Sequence, residues 1–375
     1  MKFVVSSTEL LKHLNAISKV ISNKNTLPIL DNFLFHLSEN KITITASDLE
    51  TTLISSVIPE RVEGEGYIAI PSKILTDTLK EFAEQPLTFQ VDLETCAIEI
   101  LSETGKFSIV GQDGQDYPEL PQLQESQRLV QIGHDVLLQG IEKTIYATAD
   151  DELRPVMNGI FVEFSTNNVN FVATDAHKLV RYQRKDISCD FEASFVLPKK
   201  PASLLKAILP KEEFDVTMKF DDYNAVFAMT DYYMVCRLVE GKYPPYNSVI
   251  PKNNPNIVTV DRLDFYNTLK RVSVFANQAS NLVKLDIRKS EMVISAQDVD
   301  YAISGVERVA CNNEGAEIEI GFKSTFLLEI LNNINAPEIR LELCDPSRAG
   351  LILPSADEFE HENILTLLMP MMVGV

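Results

Sequence analysis

The sequence repeats one pattern three times, at an interval of about 125 residues. Three windows, ITASDLETTLISSV, FVATDAHKLVRYQR and VISAQDVDYAISGV, each hold an apolar run, an alanine, a polar residue and an aspartate. The aspartates are Asp48, Asp175 and Asp298, which lie 127 and 123 residues apart. Because a duplicated unit must fold in the same way in each copy, this repeat restricts the architecture more than any single motif does.

A second landmark keeps the same interval. The segments IAIPSKILTDTLKEF, FVLPKKPASLLKAIL and IEIGFKSTFLLEILNNI each lead from a short strand-like run into an amphipathic pattern. Pro71, Pro198 and Phe322 occupy equivalent places, 127 and 124 residues apart. Two proline-rich polar stretches, DYPELPQLQESQ and KYPPYNSVIPKNNPN, are typical of linkers between the copies. We therefore predict three domains with these boundaries: 1–125, 126–254 and 255–375.

Each copy is predicted to be an α+β layer. Apolar residues spaced by three and four predict two helices per copy, with Thr8 and Asp261 as helix N-caps. Between the helices, runs such as KITITASDLETTLISSV alternate apolar and polar residues, which is typical of antiparallel sheets with one buried face. The six predicted helices are 8–21, 72–84, 134–147, 199–211, 261–276 and 322–333.

The charge is unevenly distributed. The formal net charge is −20, which by itself argues against a simple nucleic-acid-binding protein. The predicted helices nevertheless hold a slight excess of lysine and arginine, so the rest of the chain is strongly acidic. Solvated helix lysines explain this bias as well as a surface that faces a polyanion does. Such a surface would contact phosphates without reading bases.

Asp175 and His177 form the one candidate catalytic or metal-binding dyad. The sequence contains no phosphate-binding glycine loop, no HExxH and no GxSxG. Asp48 and Asp298 occupy the place of Asp175 without a histidine two residues later, so we expect the repeated aspartate to cap a turn. A metal-dependent hydrolase that uses Asp175 and His177 remains the alternative.

The C-terminal segment ILTLLMPMMVGV is apolar to its last residue. We expect Ile364–Leu368 to be a strand of the third core, and Pro370 to end its pairing. The methionines after it would form an adaptable binding surface. The five cysteines are scattered, the sequence becomes polar after its first five residues, and it has no long apolar stretch. Together these features predict a cytoplasmic protein with reduced thiols.

The ordered set NTLPIL, TASD, MNGIFVEF, FVATDAHKL, YPPY with VIP, and LMPM resembles the β sliding clamp family of bacterial DNA polymerase III over the whole chain. The resemblance implies three clamp domains per chain and a head-to-tail homodimeric ring of six domains. It implies a non-catalytic processivity factor without cofactor or metal, whose helices face duplex DNA. The implied partners are duplex DNA bound without sequence specificity, the replicative polymerase, a clamp loader and other clamp-binding proteins. A peptide-binding repeat scaffold without DNA is a further alternative.

The resemblance also implies site residues. The sequence itself departs from the family pattern in three places. Glycine is common at the position of Ala176, some clamps have arginine at the position of Ser248, and the tail lacks the usual basic residue. The expected peptide groove consists of Met157, Ala176, His177, Lys178, Leu179, Pro244, Ser248, Val249, Met369, Pro370 and Met371. The expected DNA-facing residues are Lys24, Arg154, Lys199, Lys200 and Lys206. The expected dimer contacts are Phe107, Val274 and Phe275.

Overall fold

The computed structural model describes residues 1–22, 24–38, 40–356 and 360–373. They form two compact units, each made of two stretches of the chain. Unit 1 contains Met1–Leu138 and Ser203–Leu238, and unit 2 contains Gln139–Ala202 and the chain from Val239 onward. Every strand pairing among the described residues is antiparallel, as the alternating sequence pattern predicts.

Unit 1 holds two sheets. The smaller has the order β5-β1-β7-β8-β9 and the larger has the order β10-β6-β2-β3-β4-β18-β17-β16-β11. The bounds are β1 Lys2–Ser6, α1 Ser7–Ile17, β2 Asn32–Ser38, β3 Lys41–Ser47, β4 Thr51–Val57, β5 Arg61–Glu63, β6 Gly66–Pro71, α2 Ser72–Lys80, β7 Pro86–Val91, β8 Ala97–Leu101, β9 Lys106–Val110, β10 Gln112–Asp113, β11 Arg128–Ile132, β16 Val216–Phe220, β17 Asn224–Ala228 and β18 Tyr232–Arg237.

Unit 2 holds one twelve-stranded sheet, with the order β15-β12-β13-β14-β26-β25-β24-β19-β22-β21-β20-β23. The bounds are β12 Gly159–Ser165, β13 Asn168–Thr174, β14 Lys178–Arg184, β15 Ala193–Pro198, β19 Asn256–Asp261, α5 Arg262–Val272, β20 Leu282–Ile287, β21 Glu291–Asp298, β22 Ile303–Asn313, β23 Ile318–Lys323, α6 Ser324–Asn333, β24 Glu338–Leu343, β25 Gly350–Pro354 and β26 Glu362–Leu368. The helices α3 His134–Glu142 and α4 Lys199–Ile208 each contribute residues to both units.

Strand pairing between successive repeats builds the two large sheets. In unit 1, β4 of the first repeat pairs with β18 of the second, from Thr51 opposite Cys236 to Ser55 opposite Tyr232. In unit 2, β14 of the second repeat pairs with β26 of the third over seven residue pairs. Continuous backbone hydrogen bonding therefore joins each repeat to the next one.

All six predicted helices are present. The last turn of four of them is a short 3₁₀ segment, at Ser18–Val20, Ile145–Ala147, Leu209–Lys211 and Ser273–Phe275. The Asp261 cap is confirmed, because its side chain accepts a hydrogen bond from the Asp264 amide at 2.8 Å. The Thr8 cap is wrong: Ser6 caps α1 through the Glu9 amide, since the helix begins one residue before Thr8.

Each helix buries one apolar face. Leu10, Leu14 and Ile17 of α1 are buried at the three- and four-residue spacing that predicted the helix. In the third repeat, Phe265 and Leu269 of α5 join the core formed with β20 and β21. The strand predicted at Ile364–Leu368 is confirmed within β26. No helix in the described parts of the chain is long and apolar enough to cross a membrane, and all five cysteines are free thiols.

Candidate functional site

The repeated aspartates cap turns, as the sequence predicts. Asp175 Oδ1 accepts hydrogen bonds from the amides of His177 at 2.9 Å and Lys178 at 2.8 Å. Asp48 Oδ1 makes the same pair of bonds, to the amides two and three residues later. Asp298 accepts one from the amide two residues later, at 3.0 Å. This repeated geometry assigns Asp175 a structural role.

Ala176 follows this aspartate in a left-handed conformation, with φ of 73°. Leu49, its counterpart after Asp48, has φ of 76°. Side chains other than glycine adopt this region at a cost of about 1 kcal/mol. The turn therefore explains why glycine would suit position 176, and it holds the exposed Ala176 and His177 outward.

Lys178 does not line a surface, although the sequence placed it in the groove. The residue is 4% exposed. Its Nζ lies 2.8 Å from Asp175 Oδ2 and 3.1 Å from Glu329 Oε2, and 4.4 Å from the centroid of the Phe326 ring. A buried ammonium needs such partners, so Lys178 stabilises the turn and does not reach a ligand.

The dyad has no catalytic geometry. Asp175 is occupied by two amides and by Lys178, whereas the His177 ring stacks on Phe326 with centroids 5.9 Å apart. Within the described ranges, no group of three or more His, Cys, Asp or Glu residues could hold a metal ion. The contacts of Asp175 and His177 therefore do not favour the hydrolase alternative.

An apolar cluster forms the floor beneath the turn. Leu179 is buried in it together with Leu351 of β25 and Leu367 of β26. Tyr243 and Tyr246 of the YPPY segment are buried in the same cluster, and the Tyr243 ring stacks on Phe161 with centroids 4.5 Å apart. The floor thus brings together chain segments that are more than 100 residues apart in sequence.

The C-terminal tail lies against the 176–178 turn. The Met369 amide donates to the His177 carbonyl at 2.8 Å, and the Met371 amide donates to the Gly321 carbonyl at 2.8 Å. Met369 is 43% exposed and Met372 is 86% exposed. Methionines held open in this way offer a soft apolar surface. Gly374 and Val375, the end of the predicted tail, lie outside the described residues.

The YPPY loop, residues 243–249, carries three further predicted groove residues. Val249 is exposed, and Ser248 is exposed with its hydroxyl donating to the Pro245 carbonyl at 2.7 Å. Pro244 and Met157 are half-buried, and Val156 next to Met157 packs against the apolar cluster. The predicted groove residues of the 176–178 turn and of the C-terminal tail are therefore in direct contact. The YPPY loop packs on the same apolar floor as the turn.

Phe326 is a candidate groove residue that the sequence reasoning missed. It lies in the first turn of α6, is half-buried, and contacts His177 and two lysines. The only sequence feature that pointed to Phe326 was an aromatic residue early in the segment KSTFLLEIL. At that position an aromatic residue is indistinguishable from an ordinary core residue of an amphipathic helix.

The predicted DNA-facing residues fall in both units. Arg154 pairs with Asp151 at 2.8 Å, and Lys199 pairs with Asp150 at 2.7 Å. Lys24 and Lys206 are exposed, and Lys200 is half-buried at the start of α4. Local carboxylates thus offset the positive charges of Arg154 and Lys199.

Phe107 lies on an open sheet edge, and Val274 and Phe275 lie in a 3₁₀ segment beside another strand. Phe107 is 40% exposed on β9, which ends the five-stranded sheet, and it packs edge-to-face on Phe82. Val274 and Phe275 are exposed beside β22. Among the described strands, β22 pairs only with β21 over residues 303–310, so its other edge is open there.

Comparison with known proteins agrees with this geometry. The N-terminal, central and C-terminal domain models of the DNA polymerase III beta subunit match residues 1–121, 131–245 and 247–372. The chain belongs to the DNA polymerase III beta subunit family. The resemblance predicted from the sequence motifs is confirmed.

Relatives of the beta subunit family match along the full chain. The beta sliding clamp of Haemophilus influenzae is 28% identical over 377 residues, which cover 99% of this chain and 100% of the relative. The beta subunit structure from Thermotoga maritima has 28% identity and a TM-score of 0.91, and the sliding clamp from Bartonella birtlesii bound to griselimycin has 26% identity and a TM-score of 0.92. Both structures cover 100% of this chain and are themselves covered completely.

Proposed function

We propose that this protein is a DNA sliding clamp that encircles duplex DNA and tethers the replicative polymerase to it. The main support for this proposal is that all three beta-subunit domain models match the chain in order, from residue 1 to residue 372. Tethering converts polymerase rebinding into an effectively intramolecular event, so the clamp raises processivity without performing chemistry. It is a non-catalytic subunit.

The ring is a head-to-tail homodimer of three domains per chain, bounded at residues 125 and 254. The two open edges, on β9 and on the 303–310 part of β22, support this arrangement, because unpaired edges of antiparallel sheets pair readily. Both edges also present apolar side chains, among them Phe107 and Val306. A head-to-tail contact forms a closed ring when the rotation between protomers closes.

DNA is held by topology and by sequence-independent phosphate contacts. Lys24, Arg154, Lys199, Lys200 and Lys206 are the proposed contact residues. The chain has a net charge of −20, so a positive lining would be local and DNA binding outside the ring would be weak. Residence on DNA then depends on ring closure more than on affinity.

The groove between the turn, the tail and the YPPY loop binds peptides of the polymerase, the clamp loader and other partners. Its apolar floor and exposed methionines suit leucine and aromatic anchors. Its proposed residues are Met157, Ala176, His177, Pro244, Ser248, Val249, Met369, Pro370 and Met371. Leu179 belongs to its buried floor, and Lys178 lies beneath the surface. We place the protein in the cytoplasm, where DNA replication takes place.

Two measurements test this function. The molecular mass in solution should be near twice the 42.1 kDa of one chain. Addition of the protein with its ATP-driven loader should lengthen the products of the polymerase on a primed circular template. A monomer at micromolar concentration, or unchanged product length, would contradict the proposal. A scaffold that binds peptides without DNA would bind the polymerase peptide but leave product length unchanged.

A further inference from the structure

The first strand of each repeat has two neighbouring strands in the first and third repeats but only one in the second. In the first repeat, β1 lies between β7 and β5, and in the third repeat, β19 lies between β24 and β22. In the second repeat, β11 pairs with β16 and ends the nine-stranded sheet of unit 1. Among the described strands, none pairs with the other edge of β11.

The strands that cover β1 and β19 are short and antiparallel. β5 pairs with residues 2–4 of β1, and the end of β22 pairs with residues 258–260 of β19. Counted back from the helix that follows each strand, the matching positions of β11 are residues 129–132. Residues 185–192, which follow β14 as β5 follows β4, form no strand. The second repeat therefore lacks the covering strand that the other two repeats have.

Side-chain exposure shows the same difference. Val4 of β1 and Thr259 of β19 are half-buried, whereas Gln131 at the equivalent place in β11 is exposed. Leu129, two residues earlier on the same face of the strand, is 54% exposed. Residues 129–132 include no charged residue and no proline, which are the usual protection of an open edge against further pairing. This edge is therefore suited to accept another strand.

The other long edges are contacted by the chain or belong to the proposed dimer contact. β10 pairs with β6, the Val239 amide donates to the Val196 carbonyl of β15 at 3.1 Å, and the Met371 amide donates to the Gly321 carbonyl of β23. β9 and the 303–310 part of β22 are the proposed dimer edges. Among the described strands, β11 is the remaining edge of more than three residues.

We propose that the open edge of β11 binds an extended segment of a partner protein, which adds to the sheet as an antiparallel strand. The pairings of β5 and β22 show what the equivalent position accepts, namely a short antiparallel strand. Backbone hydrogen bonds would supply the affinity, and Leu129 would favour a β-branched or aromatic residue opposite it. This edge belongs to unit 1, whereas the residues of the proposed peptide groove belong to unit 2.

The first test is amide hydrogen exchange of the full-length protein, measured by mass spectrometry. The amides of residues 129–132 that face away from β16 should exchange at least about ten-fold faster than the amides of residues 2–4 and 258–260, because no carbonyl accepts from them. Equal protection of the three strands would overturn the inference, since it would show that the edge of β11 is covered in solution.

The second test adds a probe for strand addition. The probe is a fluorescein-labelled octapeptide in which valine and threonine alternate between two terminal glutamates, and its binding is followed by fluorescence anisotropy. It should slow exchange at residues 129–132. It should also bind at least about ten-fold more tightly than a control peptide with proline at the two central positions, because proline cannot donate a backbone hydrogen bond.

One pair of protein variants locates the probe. Leu129→Ser should weaken probe binding about two- to five-fold, because it removes one cross-strand side-chain pair. Ile58→Ser is the matched control, since Ile58 is an apolar residue of the same unit that is 83% exposed. It should leave probe binding unchanged.

Three results would overturn the inference: equal binding of the two peptides, no protection of residues 129–132 by the probe, or unchanged affinity in Leu129→Ser. Protection of residues 129–132 that increases with protein concentration in the absence of the probe would identify a second copy of this chain as the occupant. That result would overturn the assignment to a partner protein.

Discussion

Gly140 should be intolerant of alanine, although it lies inside a helix. In α3, a Cβ at position 140 would lie 2.6 Å from three carbon atoms at the tip of the Phe171 ring, where ordinary contacts begin near 3.4 Å. Phe171 is fully buried and cannot turn away into solvent. Glycine is thus retained by close packing in a helix that would otherwise favour alanine.

Two opposing contributions determine how much Gly140→Ala changes the free energy of unfolding. Alanine is more favourable than glycine in a helix interior by about 0.8–1 kcal/mol. Overpacking of a rigid core costs about 1–3 kcal/mol, and three ring atoms within 2.6 Å place this site at the upper end. We therefore expect Gly140→Ala to lower the free energy of unfolding by about 2 kcal/mol.

A double-mutant cycle in urea isolates this contact. Phe171→Leu removes the tip of the ring, so in that background Gly140→Ala should be neutral or stabilising by up to about 1 kcal/mol. The coupling between the two substitutions should then be about 2–3 kcal/mol. If Gly140→Ala stabilises the unmodified protein, or if the coupling is near zero, the packing argument is refuted.

Three further predictions follow from individual sites. Burial raises the pKa of the Glu212 carboxyl, but hydrogen bonds from Thr230 and neighbouring amides lower this pKa below its usual value of 4.5. The ionised carboxylate therefore stabilises the fold fully above about pH 4.5, and this stabilisation is lost as the pH falls through the folded-state pKa. As the pH is lowered below 4.5, the melting temperature of Glu212→Gln should therefore fall less steeply than that of the unmodified protein. Parallel curves of melting temperature against pH would contradict this. Ala176→Gly should raise the free energy of unfolding in urea by about 0.5–1 kcal/mol, since it removes a left-handed alanine; a lower value would count against the turn. Phe107→Arg should give a mass near 42.1 kDa by light scattering, while Ile58→Arg, at an exposed site outside the proposed interface, should leave the dimer intact; a dimer in both variants would exclude Phe107 from the interface.

The sequence was sufficient to predict the local elements. The spacing of Leu10, Leu14 and Ile17 predicts α1, and the repeated aspartate predicts the turn at Asp175, because both depend on residues close together in the chain. The pairing of β4 with β18 was not predicted. Alternation shows which face of a strand is buried but does not name the neighbouring strand.

The sequence placed Lys178 in the predicted groove, whereas the structure buries this residue. A lysine in an exposed-looking turn reads as a surface residue, and its partner Glu329 lies 151 positions away in the sequence. Phe326 was missed for the same reason, since its contact with His177 forms only when the third repeat packs beside the second. Contacts between distant segments are the part of the site that single-sequence patterns do not contain.

Topological binding to DNA is the central claim, and one measurement tests it directly. The protein is loaded with its ATP-driven loader onto nicked circular DNA, the circle is cut once with a restriction enzyme, and the protein that stays bound is measured by gel filtration. A closed ring should remain on uncut circles and slide from the ends of cut DNA within minutes. Equal retention on cut and uncut DNA would contradict encirclement and would indicate binding by ordinary affinity.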